Sequence, residues 1–198
     1  MSFSREWLEF LFPLIIFVGL FLLRYVAQFV KAKKLKEIAP YINGVAVVWP
    51  FSPPRIRGTY MGIPYKMIFL AAGRNSPGQM QIKLVFSFPF GLEVRRQGVM
   101  QGLEQIFQRG RPIETGDEAF DESIVARADK EREKAELYLD NPVNRKTILE
   151  VFKGGFENIR FTEKELTVTK PGDFLKGDLN PELVLRDLSL ASRLMQRL

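Results

Sequence analysis

The longest apolar stretch of the chain lies at its N-terminal end. Residues 10–23 form an uncharged run of 14 residues, and apolar character continues on both sides, from Trp7 to Val30. A membrane-spanning helix needs about 20 apolar residues. Residues 7–30 reach that length if Glu9 and Arg24 lie at the two interfaces, where long side chains extend toward water. The pattern therefore predicts a transmembrane helix over about residues 7–30.

Three other interpretations of this stretch stay open. A cleaved signal peptide needs a basic start and a small-residue cleavage site, whereas Glu6 and Glu9 lie near Arg5 and residues 25–27 are a poor cleavage site. A buried core helix would show a polar side, and this stretch is apolar on every face. A helix lying flat on a membrane would also need one polar face.

A basic segment follows the predicted span and consists of Lys31, Lys33, Lys34 and Lys36. Lysine and arginine close to a span mark its cytoplasmic side, so the N-terminus is predicted outside and the C-terminal domain in the cytoplasm. This divides the chain into a signal-anchor with a basic juxtamembrane segment, residues 1–38, and a soluble domain, residues 39–198. The four lysines would attract anionic lipid, or, more simply, only set the topology.

The soluble part shows strand-like alternation first and helix-like periodicity later. In residues 79–88, Met80, Ile82 and Leu84 alternate with polar residues, which is typical of a half-buried strand. Further strands are predicted at residues 45–49, 56–61, 64–71, 92–96, 123–128, 158–162 and 165–169, and helices at 98–108, 129–139, from 142 to 153 and from 181 onward. This order predicts an α+β domain with a mainly antiparallel sheet and three to four helices.

Composition removes several kinds of chemistry. The chain has no cysteine and no histidine. Disulfides, thiolate metal sites, Ser-His-Asp and Cys-His catalysis and His-ligated metals are therefore excluded. Catalysis would have to use carboxylates, lysine, tyrosine or a hard metal ion. No pattern indicates a cofactor.

Charge is unevenly distributed over the soluble part. Residues 39–111 carry nine Lys/Arg and two Asp/Glu, whereas residues 112–198 carry 14 and 18. The basic half would face an acidic partner or lipid headgroups, or the two halves simply complement each other. Its candidate contact residues are Arg55, Arg57, Arg95 and Arg96. Nucleic acid is not expected, because no recognition motif is present and the basic residues are scattered.

The densest acidic cluster covers residues 114–122. Carboxylates at this density would bind Mg²⁺ or Ca²⁺, which makes Asp117 and Asp121 the metal-ligand candidates. The spacing does not match an EF-hand loop. The structural alternative, which we favour, is that Gly116 and Asp117 form a turn, Phe120 enters the core, and Asp121 binds an arginine or a backbone amide.

The same residues carry a resemblance. The segment Gly116-Asp117-Glu118-Ala119-Phe120-Asp121 has the form Gly-Asp-x-x-Phe-Asp, and a strand, a helix, a hairpin and a last helix are predicted after it. In this order, residues 40–198 resemble uncharacterised prokaryotic single-pass membrane proteins with a cytoplasmic α+β domain. The resemblance implies an architecture and no activity.

These observations lead to two hypotheses about function. The first is a membrane-anchored, non-enzymatic protein whose cytoplasmic domain binds a protein partner or an anionic membrane surface, or serves as a subunit of a membrane complex. The alternative is a membrane-tethered enzyme that uses a carboxylate-bound divalent metal on lipid or phosphorylated substrates. The residues do not identify the partner, the substrate or the oligomeric state.

Overall fold

A computed structural model describes residues 5–49, 51–73, 76–98, 111–174 and 179–195. In chain order the elements are α1 (Arg5–Ile38), a 3₁₀ turn (Ala39–Ile42), β1 (Gly44–Trp49), β2 (Ser52–Tyr60), β3 (Ile63–Leu70), β4 (Gln79–Val85), β5 (Gly91–Arg96), α2 (Glu118–Ser123), β6 (Ile124–Lys130), α3 (Arg132–Asp140), α4 (Pro142–Lys153), β7 (Asn158–Phe161), β8 (Glu165–Pro171) and α5 (Pro181–Arg193). The helix predicted at residues 98–108 falls almost entirely on 99–110, which lie outside the described residues.

The strands form one eight-stranded sheet in the order β1-β2-β3-β4-β8-β7-β5-β6, and every neighbouring pair is antiparallel. The α+β class with an antiparallel sheet is therefore confirmed. The late hairpin β7–β8 lies between β4 and β5, so it joins the two earlier groups of strands into one sheet.

Strands β2 to β8 bury one set of alternate side chains, whereas β1 is only partly covered. In β4, Met80, Ile82 and Leu84 are buried, while Gln81 and Lys83 are only partly covered. Helices α3, α4 and α5 and the end of α1 supply the other side of the core, through residues such as Leu139, Ile148, Leu188 and Leu35. One face of the sheet is thus packed against helices. We call the opposite face the open face.

Helix α1 corrects the prediction for the N-terminal stretch. It is a single helix of 34 residues, yet no described helix has the length and apolarity needed to cross a membrane. The predicted span at residues 7–30, the signal-anchor and the single-pass localisation with a cytoplasmic domain are therefore wrong. The uncharged run of 14 residues is shorter than the about 20 required, because Glu9 and Arg24 bring a charge on either side of it.

The two ends of α1 differ in their surroundings. The large apolar side chains that the structure describes between Leu11 and Val26 are exposed, whereas Leu35 and Ile38 are buried in the core of the domain. The last turns of α1 thus pack as part of the domain. They continue directly into the 3₁₀ turn, whose Ile42 is also buried.

The predicted starts of the last two long helices are confirmed. The Asn141 side chain accepts a hydrogen bond from the Val143 amide at 3.0 Å, and Asn180 accepts one from the Glu182 amide at 2.8 Å. Asparagine at the N-cap followed by proline is a strong helix start. The start predicted for α3 at Asp129 is wrong, because β6 continues to Lys130 and the helix begins only at residue 132.

Candidate interaction site on the open face of the sheet

Three cationic side chains lie in one row across the open face. Arg57 of β2 is paired with Lys66 of β3, and Lys66 is paired with Lys83 of β4. Residues paired in an antiparallel ladder share a face, with their Cβ atoms about 5 Å apart. Arg55 lies on the same face, two residues before Arg57. We call Arg55, Arg57, Lys66 and Lys83 the basic cluster.

Most of this charge has no neutralising partner among the described residues. Lys83 forms an ion pair with Glu165 of β8. No ion pair joins a described carboxylate to the other three members of the basic cluster. The Nε atom of Arg55 is buried and has no hydrogen-bond partner there. Buried donors are normally satisfied, so an unpaired donor at this position is unusual within the fold.

The positive charges around Lys66 also affect its pKa. Burial, followed by the charges of Arg55, Arg57 and Lys83, lowers the pKa of Lys66 below its ordinary value. Glu165 acts in the opposite direction and does not restore it. The open face above β2, β3 and β4 therefore favours a bound anion, which would relieve the repulsion among these cations.

The far half of the open face is more neutral. The Glu93 carboxylate accepts hydrogen bonds from Arg95 at 2.6 and 2.9 Å and from the Asn158 side chain at 2.8 Å. Arg160 lies 3.8 Å from Asp129. A depression of about 470 Å³ over β4, β8, β7 and β5 is lined by Glu93, Arg95, Asn158 and Arg160 together with further charged, glutamine and threonine side chains. The unneutralised cations thus lie toward the β1 side of the sheet.

Apolar side chains lie beside the basic cluster. Val45 and Val47 of β1 are paired with Arg57 and Arg55, so they share the open face. Val45 is 69% exposed and Trp49, at the end of the strand, is 62% exposed. Cations next to an exposed aromatic residue are typical of protein interaction surfaces, in which arginine and tryptophan are enriched.

The structure brings some of the predicted contact residues together and separates others. Arg55 and Arg57 are neighbours in the basic cluster. Arg95 lies on the same face but is bound to Glu93, three strands from β4. Arg96 is exposed at the end of β5 and follows the strand alternation to the other face.

The predicted lysines of the N-terminal region lie at the end of α1. Lys33 and Lys36 are exposed and Lys34 is half-buried. The side chain of Lys31 lies outside the described residues. These lysines belong to a helix, whereas the basic cluster belongs to the sheet.

Lys66 and Lys83 are the members of the basic cluster that sequence reasoning missed. Each occurs singly in a strand-like segment, so no local concentration of charge marks it. Strand alternation in residues 79–88 predicted the face of Lys83, but only the register across β2, β3 and β4 places Lys66 and Lys83 in one row with Arg57.

The acidic segment 114–122 has a structural explanation at Asp121. Its carboxylate accepts hydrogen bonds from the Thr115 amide at 3.0 Å, the Thr115 hydroxyl at 3.0 Å and the Gly116 amide at 3.1 Å. These bonds hold the loop that leads into α2. They satisfy both carboxylate oxygens within the fold.

Asp117 is also engaged in the fold. One oxygen caps α2 by accepting from the Phe120 amide at 3.2 Å, and the other lies 3.1 Å from Nε of Arg145 on α4. Phe120 is buried in the core. Over the part of the chain that the structure describes, no three acidic residues are grouped to hold a metal ion. The metal-dependent enzyme stays an untested prediction, and the geometry favours the structural interpretation of both aspartates.

Comparisons with known proteins do not identify a family. No protein-family model, no curated protein and no solved structure matches this chain. The resemblance based on the Gly-Asp-x-x-Phe-Asp segment therefore stays a prediction. Function has to be inferred from the residues and geometry of the chain itself.

Proposed function

We propose that this protein is a non-enzymatic binding protein whose basic cluster binds an acidic segment of a partner protein. The observation that carries the proposal is the row Arg57–Lys66–Lys83, in which like charges are paired across three strands. Like charges directly opposite each other destabilise a sheet. An acidic partner would attract all of these cations, so binding would offset the repulsion among them.

The dimensions of the cluster suit an extended acidic segment. Neighbouring strands lie about 4.8 Å apart, so the row across β2, β3 and β4 spans about 10 Å. Alternate residues of an extended chain lie about 7 Å apart and point the same way. Arg55 and Arg57 are alternate residues of β2, so a segment that runs along the direction of this strand would present its carboxylates at the same spacing. Lys66 and Lys83 extend the positive surface across the neighbouring strands.

The surroundings favour a protein over other anions. Val45 offers apolar area directly beside Arg57, and the exposed Trp49 lies at the end of the same strand, opposite Ser52. A protein segment can cover both the charged and the apolar part, as interfaces usually do. A nucleic acid would contact mainly the cations and leave this apolar area in water.

The first experiment measures binding of an acidic polypeptide to the full chain. Fluorescein-labelled poly-L-glutamate serves as the probe, and fluorescence anisotropy gives the Kd at low and at physiological salt. The double variant Arg57→Glu/Lys66→Glu should weaken binding at least about tenfold, which corresponds to 1.4 kcal/mol. Binding by the wild type should also weaken as salt rises, because exposed ion pairs are screened.

A matched control separates the effect of the basic cluster on binding from the effect of net charge. The double variant Lys146→Glu/Lys164→Glu changes the net charge by the same amount at two exposed positions outside the cluster. It should change the Kd less than about twofold. Equal weakening by both double variants would refute the role of the cluster. Cluster-dependent binding of a DNA duplex or of anionic lipid vesicles, without binding of poly-L-glutamate, would refute a protein partner.

A further inference from the structure

The outer edge of β1 has backbone hydrogen-bonding groups without described backbone partners, although α1 and the 3₁₀ turn lie close to the strand. Strand β1 is the first in the strand order and, among the described residues, its only strand partner is β2. No described backbone group outside the sheet hydrogen-bonds to residues 44–49. An edge strand presents a row of unpaired N–H and C=O groups, which is a template for another strand.

The composition of β1 does nothing to block such pairing. Proteins usually protect an edge with charged side chains, proline or a covering segment. Residues Gly44–Trp49 contain no charge and no proline. Their open-face side chains are apolar, and two of them are well exposed.

The opposite edge, β6, shows how this fold protects a strand. The Ile113 amide donates to the Ala126 carbonyl at 2.8 Å, so a neighbouring segment covers part of that edge. Strand β6 also carries Arg127, Asp129 and Lys130. The β6 edge is thus partly covered and charged, whereas the β1 edge is not, and the β1 edge lies beside the basic cluster.

We propose that an extended segment of the partner, with acidic and apolar residues in alternation, adds to β1 as a ninth strand. The proposal rests on the proposed function and names its mode of binding. Acidic side chains on the open face would reach Arg55 and Arg57 across the short side chains of Val45 and Val47. Apolar side chains on the other face would pack beside Ala46 and Val48, which already contact the core.

Charge argues against a second copy of this chain as the added strand. Pairing β1 with β1 of another copy would bring two sets of Arg55 and Arg57 together on one face, only three strand spacings apart. An acidic strand meets the same arginines with opposite charge. Self-association is therefore an outcome that the test must detect and that would overturn the proposal.

The test uses the full chain and a capped eight-residue peptide in which Glu and Val alternate. Two further versions carry N-methyl groups, one on its Val residues and one on its Glu residues. Each methylated version keeps the charge but blocks one hydrogen-bonding edge, because alternate amides of a strand point to the same side. Isothermal titration calorimetry gives the affinities, hydrogen exchange reports the amides of residues 44–49, and light scattering reports self-association.

An added strand uses one edge of the peptide. One methylated version should therefore bind at least about tenfold more weakly than the unmethylated peptide, because it loses several backbone hydrogen bonds to β1. The other version should bind normally. Exchange in residues 44–49 should slow only with the peptides that bind.

Other results would overturn the inference in distinguishable ways. Equal binding by all three peptides, with loss in Arg57→Glu/Lys66→Glu, would leave the proposed function standing and refute strand addition. Equal loss in both methylated versions, or dimers without peptide, would also refute strand addition. Absence of binding by the peptides and by poly-L-glutamate would refute both proposals.

Discussion

Replacement of Lys66 by glutamine should stabilise the protein and weaken its binding of acidic polypeptide. Lys66 is paired with Arg57 on one side and with Lys83 on the other, and Arg55 lies diagonally. Glutamine keeps a polar side chain of similar length and removes the charge. The variant therefore separates the electrostatic cost of the cluster from its packing.

The magnitude follows from the pairing. Two like charges directly opposite in a sheet destabilise it by a few tenths of a kcal/mol to about 1 kcal/mol per pair. Lys66 takes part in two such pairs, and Glu165 offsets part of the cost. Because the side chains are partly exposed and screened, we expect a net gain in the free energy of unfolding of about 0.5–1 kcal/mol. In a chain of this length the Tm should rise by about 2 °C.

Salt and pH provide internal checks on this gain. High salt shortens the Debye length to about 3 Å, so the gain should fall by more than half near 1 M. The pKa of Lys66 is lower in the folded than in the unfolded state, so folding disfavours its charged form. The penalty is full at neutral pH, declines as the pH rises through the lowered pKa of Lys66, and is absent above the ordinary value of 10.5, where wild type and variant should converge.

Urea denaturation at low salt, followed by circular dichroism, measures the gain. Lys164→Gln removes an exposed lysine in the turn between β7 and β8 and should change the free energy of unfolding by less than about 0.5 kcal/mol. A loss of stability in Lys66→Gln, or a gain that does not depend on salt, would refute the repulsion. A gain in stability with unchanged binding of poly-L-glutamate would refute the link between repulsion and function.

Three further variants test the packing that holds the open face in place. Asp187→Ala should cost about 3–5 kcal/mol in urea denaturation, because Asp187 is 3% exposed and its removal leaves the Lys170 ammonium, now 2.7 Å away, without its partner; a loss below about 1 kcal/mol would contradict this. Asp121→Ala should cost about 1–3 kcal/mol, because the Thr115 amide loses its acceptor, and unchanged stability would refute the structural role of the acidic segment. Burial raises the pKa of Tyr65 to about 12, so the wild type should lose stability as the pH rises through 10 to 12 while its unfolded state ionises. Tyr65→Phe should lower the free energy of unfolding by about 1 kcal/mol at pH 7. In thermal melts it should also make the loss of stability between pH 10 and 12 shallower; an equally steep loss would contradict the raised pKa of Tyr65.

Local patterns predicted much of the fold because their signals are short-range. The alternation in β4 matches the observed burial, and asparagine followed by proline marked the starts of α4 and α5 correctly. Such patterns depend on contacts within a few residues. The prediction of a membrane span at the N-terminal stretch was wrong for a different reason. The role of such a helix depends on its length, its charges and the packing of its end, and the sequence did not show that Leu35 and Ile38 pack into the core.

The basic cluster was only partly within reach of sequence reasoning. Met61 and Gly62 both have positive φ, at 52° and 80°, and form a two-residue hairpin turn. Such a turn fixes Tyr60 opposite Ile63, and therefore Arg57 opposite Lys66. A closer interpretation of this turn would have found the first pair.

The second pair, Lys66 and Lys83, depends on a longer connection. Residues 71–78 join β3 to β4, and a loop of this length does not dictate a register. The sheet itself sets it, by burying Met67 and Phe69 on β3 with Ile82 and Met80 on β4. The row of cations is thus a tertiary feature, and none of its residues is marked by a local pattern in the sequence.

Cross-linking of the full chain to a short poly-L-glutamate peptide tests the central claim most directly. A water-soluble carbodiimide joins carboxylates to lysines in direct contact, and peptide mapping by mass spectrometry identifies the lysines. Cross-links should concentrate at Lys66, with Lys83 second because Glu165 competes for it, and should fall in high salt. Cross-links spread over the exposed Lys146, Lys153 and Lys164, with none at Lys66, would contradict binding at the basic cluster.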